Sequence, residues 1–185
     1  MKLKDCKYLF LDRDGVINVR KMGGYILSYD EFHFIEGVKE AFKIFNTCFD
    51  KIFIITNQQG IGKGLMSEED FSIVSKKMIE EIESNGGRID KIYHCPALKE
   101  EKSKMRKPEI GMGLKAKEDY NEIDFNKSIM VGDSMSDMLF GKGLLMKNVF
   151  INNHTETNID NKIIDKEFNS LIEFAKYIEN EKKYN

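Results

Sequence analysis

Five short β-rich runs recur along the chain, at residues 8–11, 51–56, 91–94, 128–131 and 149–152, and the spacing between them leaves room for helices. Two of the intervening segments carry the helical period. Val38, Ala41, Phe42 and Phe45 fall on one face of residues 36–45, and Phe71, Val74, Met78 and Ile82 do so within 67–82. Strands that alternate with helices imply a parallel α/β sheet. Ser67 ahead of Glu68, Glu69 and Asp70 predicts a capped, acid-rich helix start, and Ser134 predicts a helix opening after residues 131–133. Residues 168–178 read as a last amphipathic helix. The only two prolines, Pro96 and Pro108, fall in residues 96–113, which read as a long loop.

The 185 residues fit a single domain over 1–185, long enough to enclose a core. With 29 basic and 31 acidic residues the formal charge is −2, so no global field advertises nucleic acid or a membrane surface. No apolar run approaches a membrane span of about 20 residues, and the apolar run at 8–11 is shorter than the roughly 7–15 residues of a signal peptide core. Cys6, Cys48 and Cys95 are few, odd in number and far apart, which argues against a disulfide framework and makes the cytoplasm the expected location. Oligomeric state is open. Met130, Met135, Met138 and Met146 read as core filling.

In open α/β sheets, ligands bind beyond the carboxyl ends of the strands, and those ends hold a coherent polar set. The first run leads into Asp12-Arg13-Asp14-Gly15, two carboxylates two residues apart that would share one side of an extended chain. Two close carboxylates repel unless a cation or proton intervenes. The second run ends in Thr56-Asn57-Gln58-Gln59-Gly60, a hydroxyl followed by backbone N–H groups suited to ringing an anion. The fourth ends in Gly132-Asp133, and Asp133 with Asp12 and Asp14 forms an oxygen-rich set for Mg²⁺, with Asp137 one helical turn later in support. Arg106 and Lys107 supply fixed positive charge. Each piece alone has a bland reading, as a solvated turn or a surface lysine; together they point to a phosphate site. Residues 60–64 are glycine-rich but lack the order of a nucleotide P-loop, and read as a loop.

This set resembles the four motifs of the haloacid dehalogenase superfamily phosphatases, matched in order by Asp12-x-Asp14, Thr56, Lys107 and Gly132-Asp133 with Asp137, over about residues 8–151. The finer string, F-L-D-R-D-G-V-I-N, G-Y, T-N-Q-Q-G-I, C-P, R-K-P and G-D, is similar to the branch of heptose-1,7-bisphosphate 7-phosphatases and histidinol-phosphate phosphatases. The resemblance implies a Rossmann-like three-layer sandwich with a mainly parallel sheet, a small flap over residues 13–32 and no large cap. It implies Asp12 as nucleophile, Asp14 as acid and base, protonated at the start, Thr56 and Lys107 as holders of phosphate oxygens, and Mg²⁺ on Asp12, the Asp14 carbonyl and Asp133. The expected substrate is a small phosphorylated sugar, a heptose bisphosphate first, gripped by Arg106 and by hydrogen bonds from Tyr25, Asn57 and Gln58.

Two departures bear on those expectations. Where the branch often holds structural zinc, this chain has Cys95, Ala97, Ser103 and Met105, one thiolate for a four-ligand site, so the loop is expected to be zinc-free. Adjacent His94 reads as a packing or solvent residue. A lysine that tends to follow the fourth-motif aspartate is replaced by Ser134, which loosens substrate assignment more than catalytic class. Histidinol phosphate, a nucleic-acid 3′-phosphate and a non-enzymatic phospho-acceptor domain remain alternatives. The near-neutral charge counts against the second, and Asp14 counts against the third.

Overall fold

The computed structural model describes residues 2–153 and 160–183. Six strands form one sheet, β1 (Tyr8–Leu11), β2 (Lys51–Asn57), β3 (Lys91–Cys95), β4 (Ser128–Gly132), β5 (Lys147–Ile151) and β6 (Lys166–Phe168), in the order β3-β2-β1-β4-β5-β6. Every pairing is parallel. The helices are α1 (Val38–Cys48), α2 (Gln59–Gly62), α3 (Glu68–Ser84), α4 (Gly111–Asp119), α5 (Met135–Gly143) and α6 (Leu171–Lys183).

Side chains alternate along the central strands and feed two cores. Leu9, Leu11, Ile52, Ile54, Ile129 and Val131 point to the layer of α1, α3 and α6, where Phe42, Phe45, Val74, Met78 and Phe174 meet them. Tyr8, Phe10, Phe53, Ile55 and Met130 point to the opposite layer, against Met112 and Ala116 of α4 and Phe140 of α5. A sheet covered on both faces needs strands apolar on both faces, which is why the runs read as continuous apolar segments. The result is the expected three-layer, Rossmann-like sandwich. Met130, Met138 and Met146 are buried as expected. Ser67 caps α3 by accepting a hydrogen bond from the Asp70 N–H, and Ser134 stands at the start of α5.

Three local expectations need correction. The glycine-rich segment after β2 forms the single helical turn α2, because two of its glycines sit at close approaches. A Cβ on Gly62 would lie 2.3 Å from the Pro96 carbonyl oxygen, and one on Gly60 3.2 Å from Tyr25 Cβ. The loop expected over 96–113 ends earlier, at α4, whose Gly113 packs so closely on the following helix that a Cβ would lie 2.3 Å from Leu144 Cδ1. Phe168 belongs to the edge strand β6, and the last helix starts at Leu171.

The strand order reverses between β1 and β4. In such sheets the chain leaves these two strands in opposite directions and opens a crevice at their carboxyl ends. The register Leu11↔Val131 brings Asp12 and Gly132-Asp133 to that point, and the Asp12 N–H donates to the Val131 carbonyl at 2.9 Å. Residues 13–32 leave β1 as a flap, tied back by pairing of Asn18 with Phe34. Among the described residues, no helix is long and apolar enough to cross a membrane.

Candidate active site

A cleft of about 540 Å³ opens at the crevice, bordered by Asp12, Asp14, Thr56, Lys107, Ser134 and the flap. At its floor, the Lys107 ammonium lies 2.8 Å from Asp12 Oδ1 and 2.6 Å from Asp137 Oδ1, and donates to the Ile55 carbonyl at 2.7 Å. The lysine comes from the loop before α4 and reaches the sheet through two hydrogen bonds from Asn57. The Asn57 amide donates to the Lys107 carbonyl at 3.1 Å, and its oxygen accepts from the Lys107 N–H at 3.0 Å. The peptide bond to Pro108 is cis. Asp137 is the third residue of α5, where it also accepts from the Ser134 N–H and hydroxyl at 3.1 and 2.6 Å. The helix start and the lysine therefore hold one carboxylate between them.

Asp12 and Asp14 are kept apart electrostatically by different cations. The chain does not stay extended past Asp12; the Arg13 carbonyl accepts from the N–H groups of Ile17 and Asn18, and Gly15 takes φ +93°. The Asp14 carboxylate faces the buried Arg13 guanidinium at 3.0 Å, and accepts from the Asn18 and Gln58 amides at 3.0 and 2.9 Å. The same Gln58 amide donates to the Thr56 hydroxyl at 2.8 Å. Burial raises the Asp14 pKa, but Arg13, Asn18 and Gln58 outweigh it and hold the group below the ordinary carboxylate value. That direction favours the ionised form, whereas a general acid starts protonated. Asp12 and Asp133 shift the other way, raised first by burial and then by the charge of Asp137. For Lys107, burial lowers the pKa, but Asp12 and Asp137 more than offset it, so the ammonium stays charged.

Asp133 and Asp12, with the nearby carbonyl of Asp14, form an all-oxygen donor set of the kind Mg²⁺ prefers. Asp12, Asp133 and Asp137 offer carboxylate oxygens within 4.8 Å of one another, but Asp137 is engaged by Lys107. The fit of a cation is visible in what lies there. Arg20 of the flap places Nη2 2.6 Å from Asp133 Oδ1, 2.8 Å from the Asp14 carbonyl oxygen and 4.0 Å from Asp12 Oδ2. A Cβ on Gly15 would lie 1.9 Å from Asp133 Oδ2, so only glycine lets the turn pass this close to the site.

The remaining anticipated residues all border the cleft. Tyr25 leans on α2, its hydroxyl accepting from the Gln59 amide at 3.1 Å. Arg106 donates to the Ala97 carbonyl at 3.1 Å and also borders a second hollow of about 580 Å³ with Lys99 and Lys102. His94 stacks on Phe71, with ring centroids 4.3 Å apart, and contacts Glu68 at 2.8 Å. Besides Arg13, three partners of the site were not singled out from sequence. They are Arg20, Asn18 and Asn153, whose amide donates to Asp133 Oδ2 at 2.7 Å and to the Gly15 carbonyl at 3.2 Å. For Asn153 a signal existed, since it lies just past the carboxyl end of β5.

A model of the family described as polynucleotide kinase 3 phosphatase matches residues 7–181. The D-glycero-alpha-D-manno-heptose-1,7-bisphosphate 7-phosphatase of Campylobacter jejuni is 44% identical over 135 residues, 73% of this chain and 76% of that protein. The D-glycero-beta-D-manno-heptose-1,7-bisphosphate 7-phosphatase of Helicobacter pylori strain 26695 is 35% identical over 173 residues, 92% and 98% of the two chains. Among solved structures, a D,D-heptose 1,7-bisphosphate phosphatase from B. bronchiseptica, complexed with magnesium and phosphate, superimposes with a TM-score of 0.85 at 23% identity. It covers 95% of this chain and 99% of that one.

Proposed function

The chain belongs to the polynucleotide kinase 3 phosphatase family, and on that premise we propose that this phosphatase removes the 7-phosphate of a heptose 1,7-bisphosphate through an aspartyl-phosphate on Asp12. The observation that carries the reading is the meeting of Asp12, Asp133, the Asp14 carbonyl and a buried, charged Lys107 at one crevice. Asp12, Asp133 and the Asp14 carbonyl would hold magnesium, which would supply the charge neutralisation that lets a carboxylate approach a phosphoryl dianion.

The chain's own groups do the rest. Asp12 attacks phosphorus in line with the departing sugar oxygen; the new Asp12–phosphorus bond forms as the bond to the sugar breaks. Lys107 and the Thr56 hydroxyl hold the non-bridging oxygens, since positioning and electrostatics dominate phosphoryl transfer. Asp14 gives the leaving oxygen its proton, then takes one from the water that attacks phosphorus and frees Asp12 and inorganic phosphate. Its low pKa suits the second step directly. For the first, the approaching phosphate dianion is the like charge that raises it.

Arg106, with Lys99 and Lys102, is the seat for the second phosphate, because a guanidinium grips phosphate oxygens bidentately. Tyr25 and Gln58 border the space for sugar hydroxyls, while Asn57 acts through Lys107, to which both ends of its amide are committed. The reading includes a single catalytic domain working in the cytoplasm, where free Cys6, Cys48 and Cys95 stay reduced. It also includes a zinc-free loop between β3 and α4, which elemental analysis finding one zinc per chain would overturn.

The test is Mg²⁺-dependent phosphate release from both anomers of heptose 1,7-bisphosphate, histidinol phosphate, other sugar phosphates and a 3′-phosphorylated oligonucleotide. The expected result is a strong kcat/KM preference for one heptose bisphosphate. Preference for histidinol phosphate or for the oligonucleotide keeps the catalytic groups and overturns the substrate.

A further inference from the structure

The geometry points to Arg20 as a built-in counter-cation that takes the metal position in the metal-free protein and must leave, carrying the flap with it, when the divalent ion binds. The inference rests on the reading of Asp12, Asp133 and the Asp14 carbonyl as the cation-binding set. One nitrogen, Nη2, reaches Asp133 Oδ1 and the Asp14 carbonyl at hydrogen-bond distance and lies 4.0 Å from Asp12. A guanidinium nitrogen and a divalent ion cannot share that volume.

The charge count argues the same way. Four carboxylates, Asp12, Asp14, Asp133 and Asp137, face three cations, Arg13, Arg20 and Lys107. Exchange of one monovalent guanidinium for one divalent ion balances the site. Without either, the Asn153 amide is the one side-chain hydrogen-bond donor left to the buried Asp133 among the described residues. Arg20 is also imperfectly held, since among the described residues its buried Nε has no hydrogen-bond partner, and a buried unmet donor is destabilising. Its side chain is 36% exposed, and two residues on, Met22 stands 73% exposed at the flap's outer turn. The way out is open.

Competition of this kind multiplies the intrinsic metal affinity by the fraction of sites already vacated. Removal of the competitor therefore tightens metal binding. The probe is Mn²⁺ or Mg²⁺ alone, titrated calorimetrically into the full chain and into Arg20→Gln. The variant is expected to bind about 5- to 150-fold more tightly, the usual span of coupling between two sites. Loss of a positive charge alone would also tighten binding, so displacement needs its own readout. The chain contains no tryptophan, and Met22→Trp, with Arg20 retained, provides a single indole on the flap. Its emission is expected to change on metal saturation, and to stay unchanged in the Met22→Trp/Arg20→Gln double variant. Equal affinities, or tighter binding with a silent indole, overturn displacement while leaving the metal site in place. No metal binding by either protein overturns the metal reading itself.

Discussion

Replacing Lys107 by methionine keeps the side chain's length and removes its ammonium, leaving Asp12 and Asp137 facing each other across a site from which water is largely excluded. The Lys107 and Asp137 side chains are each 1% exposed and Asp12 10%. Deleting one partner of a buried ion pair costs about 3–5 kcal/mol, and for a chain of this length each kcal/mol moves Tm by about 2–4 °C. The expected loss is therefore about 6–20 °C, with a fall in kcat/KM of about 10²–10³ from loss of a phosphate-facing cation. The loss depends on pH in a definite direction. Without the lysine, Asp12, whose pKa burial and the charge of Asp137 already raise, holds its proton more tightly in the folded protein than in the unfolded chain. Stability in that regime falls as pH rises, so the deficit is largest at mildly alkaline pH and shrinks on acidification. Asp137→Asn alone should destabilise, because Lys107 loses a partner; in the Lys107→Met background it should restore stability, because the repulsion is gone. Thermal melts of the four proteins at mildly acidic and mildly alkaline pH give the coupling directly, expected at about 0.5–3 kcal/mol. Parental melting of Lys107→Met at alkaline pH, or strictly additive effects of the two substitutions, would refute the reasoning.

Asp12→Asn should abolish phosphate release while leaving a folded protein, because neutralising a buried acid whose pKa burial and Asp137 already raise offsets the loss of one Lys107 partner; turnover by the pure variant would sink the nucleophile assignment. Gly15→Ala places a methyl group 1.9 Å from Asp133 Oδ2 at φ +93°, so calorimetry should show weakened Mg²⁺ binding and melting a loss of about 1–3 kcal/mol; parental values for both would show that the turn yields. In the metal-free protein, Asp12 and Asp133 bind protons more tightly folded than unfolded, so Tm should fall as pH rises from acidic toward neutral. Mg²⁺ at about 100 times its dissociation constant should add about 2.7 kcal/mol at neutral pH, or about 5–11 °C, and a flat metal-free profile would contradict the assigned electrostatics.

Asp12, Thr56 and Asp133 were readable from sequence because each stands one step past, or at the end of, a strand buried on both faces, and such strands declare themselves as apolar runs. Once β1, β2 and β4 are parallel neighbours, the position of these side chains follows from register alone. α2 and α4 were hidden for the opposite reason. Gly62 and Gly113 weaken the local helical signal, yet both are required by contacts made across the fold, with Pro96 and with Leu144. The direction in which Asp14 shifts was not legible because spacing shows two acids and not the cation assigned to each. Arg13 sits between them in sequence and commits itself to one. Arg20 lies 113 residues from Asp133, and no local pattern marks a lysine- and arginine-bearing flap as the supplier of a missing charge. A cluster of four carboxylates is unstable unless cations are at hand, and the chain leaving β1 brings Arg20 onto that cluster. The flap is therefore a short route by which the fold supplies one, and Arg20 offsets the repulsion among Asp12, Asp133 and their neighbours.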